Sequence, residues 1–367
     1  MTQLVAAASL WWDGSWHSGQ ALRVADLSVV AAPDDVQRLP GTLLPGLTDH
    51  HVHSALVDLP TVRAGGVSAV WDLGGVPGKV AELARRAAAP VDDAENLSVG
   101  AALMAPPSTG WGRSGAPPLP GHGRSGMPSL PGHGRSGAPT LPSVRFAGPF
   151  LNAPGGYPSD RPWAPAGSWR SLASAGEAAD AVDAAHRLGA TLIKMTAHAG
   201  GPLLSLKTMT AVAEAAHALE LPVVVHAEGD GTVERSLDCG ADFLAHTPWT
   251  SPLDPGLVKA CAARMTWIST LDIHGWGTET PESVTAVGNL RQFLSYGGSV
   301  RYGTDLGNGP LPPAINAREI RLMQSAGMSP AEILASMAGP GVAWIPGGLD
   351  LDPSGFADVL ATARVLS

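Results

Sequence analysis

The run Leu44-Pro45-Gly46-Leu47-Thr48-Asp49-His50-His51-Val52-His53 constrains this chain more than any other stretch. It is apolar, breaks at a Pro-Gly pair, resumes, and delivers two histidines one residue apart. Alternate residues of a strand share a face, so His51 and His53 can offer two imidazoles to one ion from a single strand end, while His50 points the other way and packs behind. Two histidines begin a metal site without completing it, because zinc takes four ligands, or three and a water.

Four later segments read as short buried strands that each end in a potential ligand. Ala190 to Lys194 ends in a lysine, Leu221 to His226 and Ala241 to His246 end in histidines, and Ser299 to Asp305 ends in an aspartate. Between them lie Ala-rich stretches with helical spacing, such as Ala178 to Leu188 and Met209 to Leu219. Strands alternating with helices predict an α/β fold with a parallel sheet covered on both faces. Polar groups at the C-terminal ends of several strands are where a (β/α)8 TIM barrel carries its catalytic residues. Singly, each group has an ordinary explanation: a buried histidine is usually core, and Asp305 after Gly303-Thr304 could cap a helix. Together, several strand ends that each offer a potential ligand are enough to complete one metal site.

With these residues in hand, the sequence resembles the amidohydrolase superfamily, and within it the imidazolonepropionase-like and prolidase-like metal-dependent hydrolases. The matching motifs are Pro45 to His53, Gly65 to Gly75, Ile193-Lys194-Met195, His226, His246-Thr247-Pro248 and Gly303-Thr304-Asp305. Gly327 to Leu334 matches the final helix, and Phe356 to Leu360 matches the strand expected after it. The resemblance implies that His51, His53 and Asp305 hold the more buried of two divalent ions, zinc being the metal expected. His226 and His246 would hold the second. Lys194 would bridge them as N6-carboxylysine, since an ammonium has no acceptor. It further implies a bridging water acidified toward hydroxide, with Asp305 as general base and then acid. The reaction would be hydrolysis of an amide in a small substrate such as an N-acyl amino acid, a dipeptide or a cyclic amide.

Two rival readings stand beside it: a one-metal hydrolase or deaminase of a heterocycle, and a barrel that binds without turnover. Superfamily deaminases carry a glutamate three positions beyond the histidine matching His226, whereas Glu228 lies two beyond, which argues against deamination. His198, Tyr157, Trp249 and His274 fall on loops at the active face and are candidate substrate contacts. His186 and His217 fall on outward helix faces.

The expected domains are a small β-sandwich from residues 1–44 and 346–367 and a barrel from 45–345. An insertion at about 105–143 holds an 11-residue repeat, Gly112 to His122 recurring as Gly123 to His133 and again from Gly134. Such a Pro/Gly/Ser-rich block builds neither helix nor sheet and reads as a tandemly expanded loop. Taking Val144 to Pro149 as the next strand puts the repeat ahead of that strand and away from the metals. Cys239 and Cys261 cannot form a disulfide framework and read as apolar filling.

A net charge of -9 and pI near 5.7 argue against nucleic acid and anionic membranes as partners. The first residues lack a basic region and a convincing apolar run, so the expected compartment is the cytoplasm, in a GC-rich bacterium by composition. Relatives often assemble, so a homo-oligomer is expected.

Overall fold

The computed structural model describes residues 4–88 and 141–366. The 11-residue repeat and its placement therefore lie outside the described residues. Among the described residues, sixteen strands, β1 to β16, run in two sheets.

The first sheet grows from the N-terminus. β1 (Leu4–Trp12) turns at Asp13-Gly14 into β2 (Ser15–His17), and both turn residues have positive φ, 48° and 73°. Paired left-handed residues give the twist that a two-residue hairpin needs. β3 (Gln20–Arg23) and β4 (Val29–Ala31) follow as antiparallel neighbours. β5 (Arg38–Val52) is 15 residues long. Its N-terminal half pairs with β1, and its C-terminal half pairs in parallel with β6 (Ala69–Asp72), which in turn pairs with β7 (Ser143–Phe146). A single strand thus runs from the terminal sheet into the site and carries His51 with it.

The second sheet is wholly parallel. Its strands are β8 (Phe150–Asn152), β9 (Trp169–Ser171), β10 (Ile193–His198), β11 (Val223–Glu228), β12 (Phe243–Leu244), β13 (Thr266–Ile268) and β14 (Ser299–Arg301), in the order β14-β13-β12-β11-β10-β8-β9. Helices Ala178–Arg187, Leu206–His217, Thr232–Asp238, Pro255–Arg264 and Pro281–Ser295 alternate with these strands, as expected of a parallel sheet with covered faces. Ala178, Ala181, Val182 and Ala185 form the buried stripe of the first helix, at helical spacing. Side-chain caps start several helices: Asp254 accepts from the N–H groups of Gly256 and Leu257, and Thr280 with Ser283 makes a capping box.

Backbone bonds join the sheets at two places. On one side the His50 N–H donates to Tyr302 O at 3.0 Å, and His53 N–H donates to Leu306 O at 2.8 Å. On the other, Thr191 N–H donates to Phe146 O at 3.0 Å. Gly303 makes the first junction possible, because a Cβ there would collide with Ile268 and crowd the backbone of His51.

Two sequence expectations need correction. Phe356 to Leu360 is not a strand but part of the helix Pro353–Leu360. Asp352 caps it, Pro353 occupies its first turn, and Phe356, Ala357 and Leu360 bury one face at helical spacing. The terminal strand is the short β16 (Arg364–Leu366), which pairs antiparallel with β15 (Ala338–Ile345), itself paired with β5. The other difference lies in strand ends. β10 continues four residues past Lys194 to His198, whereas β12 and β14 stop before His246 and Asp305. Asp305 sits in a turn with φ 57°, a conformation aspartate tolerates better than most residues. Among the described residues no helix is long and apolar enough to cross a membrane.

Candidate metal centre

His51, His53, His246 and Asp305 lie at or just beyond strand ends, His226 two residues inside the end of β11 and Lys194 near the start of β10, and each is buried or nearly so. The His51 ring lies 5.3 Å from that of His53 and 4.6 Å from that of His246, which is 4.9 Å from His226. Burial holds His51 and His246 well below the ordinary histidine range, so both are neutral bases.

Outer partners decide which nitrogen each ring keeps. His51 Nδ1 lies 2.8 Å from Ala245 O, and His53 Nδ1 lies 3.0 Å from Gly74 O. A carbonyl only accepts, so each Nδ1 carries a proton and each Nε2 is the nitrogen left facing inward. His246 Nδ1 meets Thr270 Oγ1 at 2.9 Å, again leaving Nε2 inward. Both Nε2 atoms of His51 and His53 lie 3.0 Å from Asp305 Oδ1. Yet Asp305 Oδ1 is buried without an aligned hydrogen bond. Three ligand atoms thus converge on one point; against the effect of burial, Asp305 holds His53 above the ordinary histidine range, so positive charge is favoured there, as a divalent cation would supply. The donor set, two imidazoles and a carboxylate, suits a divalent ion of the zinc type.

Lys194 is 1% exposed, and burial pulls its amine down to about 7 against the attraction of Asp305 and Asp72. The amine is therefore close to neutral, the form that can act as a nucleophile or carry a modification.

Residues without a role in the sequence reading fasten the ligands. Asp49 Oδ1 accepts the N–H groups of His51 and Thr304, each at 3.0 Å, and its Oδ2 accepts the Thr304 hydroxyl at 2.5 Å. It therefore ties the histidine strand to the segment bearing Asp305. Burial pushes its carboxyl up to about 7. Asp72, at the end of β6, accepts from Ser54 N–H at 2.8 Å and Gly74 N–H at 3.0 Å, fixing the loop whose carbonyl orients His53. Glu319 accepts from Leu271 N–H at 2.9 Å and Asp272 N–H at 2.7 Å, holding the loop that bears His274. Nothing local in the sequence marks Glu319; Asp49 and Asp72 at least stand inside the quoted motifs.

The four candidate substrate contacts cluster at the same place. Tyr157 stacks on His226 at 4.7 Å and lies 5.3 Å from His198. Trp249 stands 5.4 Å from His246, with His274 on its other side at 4.8 Å. Burial raises the Tyr157 phenol, so it remains a neutral donor, and lowers His274 to about 4. Phe150 and Trp163 extend this aromatic wall. Of the remaining histidines, His50 packs edge-on against Trp71 at 4.7 Å, behind the site. His186 and His217 are exposed on their helices, as their spacing predicts, although His217 also pairs with Asp242 at 2.8 Å.

No protein-family model and no curated protein matches the chain. Among solved structures it is similar to a Xaa-Pro dipeptidase with methionine bound in the active site, at 15% identity over 99% of this chain and 97% of that one, with TM-score 0.68. It is similar to the ochratoxinase of A. niger at 16% identity over 97% and 91%, with TM-score 0.65. A prolidase complexed with N-methylphosphonate-L-proline aligns at 16% identity over 100% and 97%, with TM-score 0.64. These neighbours belong to the amidohydrolase superfamily, so the chain has that superfamily's fold, in line with the motifs that resemble it.

Proposed function

We propose that this chain is a metal-dependent amidohydrolase that cleaves a C–N bond in a small molecule. The observation that carries the reading is the convergence of His51 Nε2 and His53 Nε2 on Asp305 Oδ1, each at 3.0 Å, with Asp305 Oδ1 buried and lacking an aligned hydrogen bond. His51, His53 and Asp305 would hold one divalent ion, zinc in our reading, and His226 with His246 a second. A carboxylated Lys194 would supply both ions with an oxygen ligand. The inter-sheet bonds of His50, His53 and Thr191 support a closed (β/α)8 barrel over residues 45–345, with residues 1–44 and 346–367 as a small β-sandwich beside it.

When bound, the ions supply Lewis acidity, lowering the pKa of a water and polarising the scissile carbonyl. The chain's own residues do the rest. Asp305, held beside the two imidazoles, takes the proton from the attacking water and returns it to the departing nitrogen. Neutral Tyr157 offers a phenolic hydrogen toward the carbonyl. Trp249, His274 and Trp163 form an aromatic wall that excludes water and favours a partly apolar substrate. Dipeptides and N-acyl amino acids fit this description, and the dipeptidase and prolidase neighbours support testing them first.

Metal content per chain, determined by elemental analysis on protein purified without chelator, tests the reading together with hydrolysis of a panel of dipeptides, N-acyl amino acids and cyclic amides. Two equivalents and a hydrolysed amide are expected. A protein that binds no divalent ion before or after refilling would refute it.

A further inference from the structure

Glu228, at the end of β11, has no place in the proposed ligand set, yet it touches that set directly. Its Oε2 lies 3.0 Å from His226 Nε2 in an aligned hydrogen bond. The same oxygen lies 3.0 Å from His198 Nδ1. His198 Nε2 in turn lies 3.3 Å from Arg161 Nη2. His198, His226 and Glu228 are close enough together to form a metal-binding group of their own, so the geometry must say whether they ligate or orient.

Proton placement answers it. A guanidinium only donates, so His198 Nε2 accepts from Arg161 and the ring's proton is on Nδ1. That nitrogen has no lone pair for an ion, and it lies 3.0 Å from Glu228 Oε2 without an aligned hydrogen bond. An ionised carboxylate only accepts, so His226 Nε2 is also protonated. The lone pair of His226 is therefore on Nδ1, the nitrogen away from Glu228. The other three histidines show the opposite assignment, with Nδ1 tied to an outer partner and Nε2 inward.

We infer that Glu228 is a positioning residue for His226, fixing the tautomer that presents Nδ1 to the second ion, and that His198 and Arg161 brace Glu228 without ligating. This rests on the two-ion reading above. Carboxylates that take the second N–H of a ligating histidine typically change metal affinity by ~10–100-fold when removed. His226 is also stacked beneath Tyr157, so a loosened ring would disturb the substrate wall as well.

The test is metal titration of chelator-stripped full-length protein with zinc, in wild type, Glu228→Gln, Glu228→Ala and His198→Ala. Wild type should show two classes of site. Glu228→Ala should weaken one class ~10–100-fold and leave the other unchanged, the unchanged class reporting that the chain is folded. Glu228→Gln retains an acceptor oxygen and should fall between them. His198→Ala, which spares the Glu228–His226 bond, should keep both classes near wild type. Loss of a whole class in both Glu228→Ala and His198→Ala would make these residues ligands and overturn the inference. Unchanged affinity in Glu228→Ala would overturn it equally. Should wild type itself bind no zinc, the two-ion reading fails, a result separate from either of these.

Discussion

Asp49 offers the sharpest test of how the candidate centre is held. Its carboxylate satisfies two buried backbone N–H groups, from His51 and Thr304, and a buried hydroxyl, while being 1% exposed itself. Asp49→Ala leaves both N–H groups without an acceptor and opens space behind them. Each orphaned group costs about 1–3 kcal/mol, so with the hydroxyl included the variant should lose about 3–9 kcal/mol. Asp49→Asn has the same shape. Its Oδ1 can take both N–H groups as the native Oδ1 does, its amide can donate to the Thr304 oxygen, and it removes a charge that burial disfavours. It should stay within about 1 kcal/mol of wild type. Urea unfolding of metal-free protein at neutral pH measures both, and zinc titration of the same samples reads the centre. If alanine and asparagine cost the same, or alanine costs under about 1 kcal/mol, Asp49 does not pin the two ligand segments and the argument fails.

Glu319 gives a pH signature. Burial raises its carboxyl from 4.5 to about 8, so the folded state holds the proton more tightly than the unfolded chain. The resulting stability is full below 4.5 and is lost as pH rises through about 8. Glu319→Gln cannot titrate and can accept only one of the two N–H groups, so it should be less stable than wild type at acidic pH, with the gap narrowing toward alkaline pH. Urea midpoints across that range check it, and a gap that widens with pH contradicts it. Lys194→Ala should weaken zinc binding more than the ~10–100-fold typical of residues outside a ligand set, and formate or propionate in the buffer should restore part of it. No loss of affinity, or no recovery with any small carboxylate, would count against a carboxylated lysine.

Much of the site was legible because its signals are local. The alternation of His51 and His53, the apolar runs leading to Lys194 and His226, and the Gly-Thr-Asp ending at Asp305 each depend on a few adjacent residues. The terminal helix was misread for an instructive reason. Asp352-Pro353 is a helix start, but Phe356, Ala357, Val359 and Leu360 can be taken as an apolar strand when that cap is ignored. Short apolar runs are ambiguous in period until a cap or a neighbour decides.

The sequence alone therefore determined the alternation of strands and helices and the identity and order of the ligand candidates, because side-chain chemistry and periodicity are properties of neighbouring residues. Tertiary structure decided which nitrogen of each histidine is available. That choice rests on Ala245 O, Gly74 O and Thr270 Oγ1, whose distances along the chain from their partners are 194, 21 and 24 residues. It also gave Asp49, Glu319 and Glu228 their work, since a buried carboxylate is defined by the N–H groups that folding brings to it.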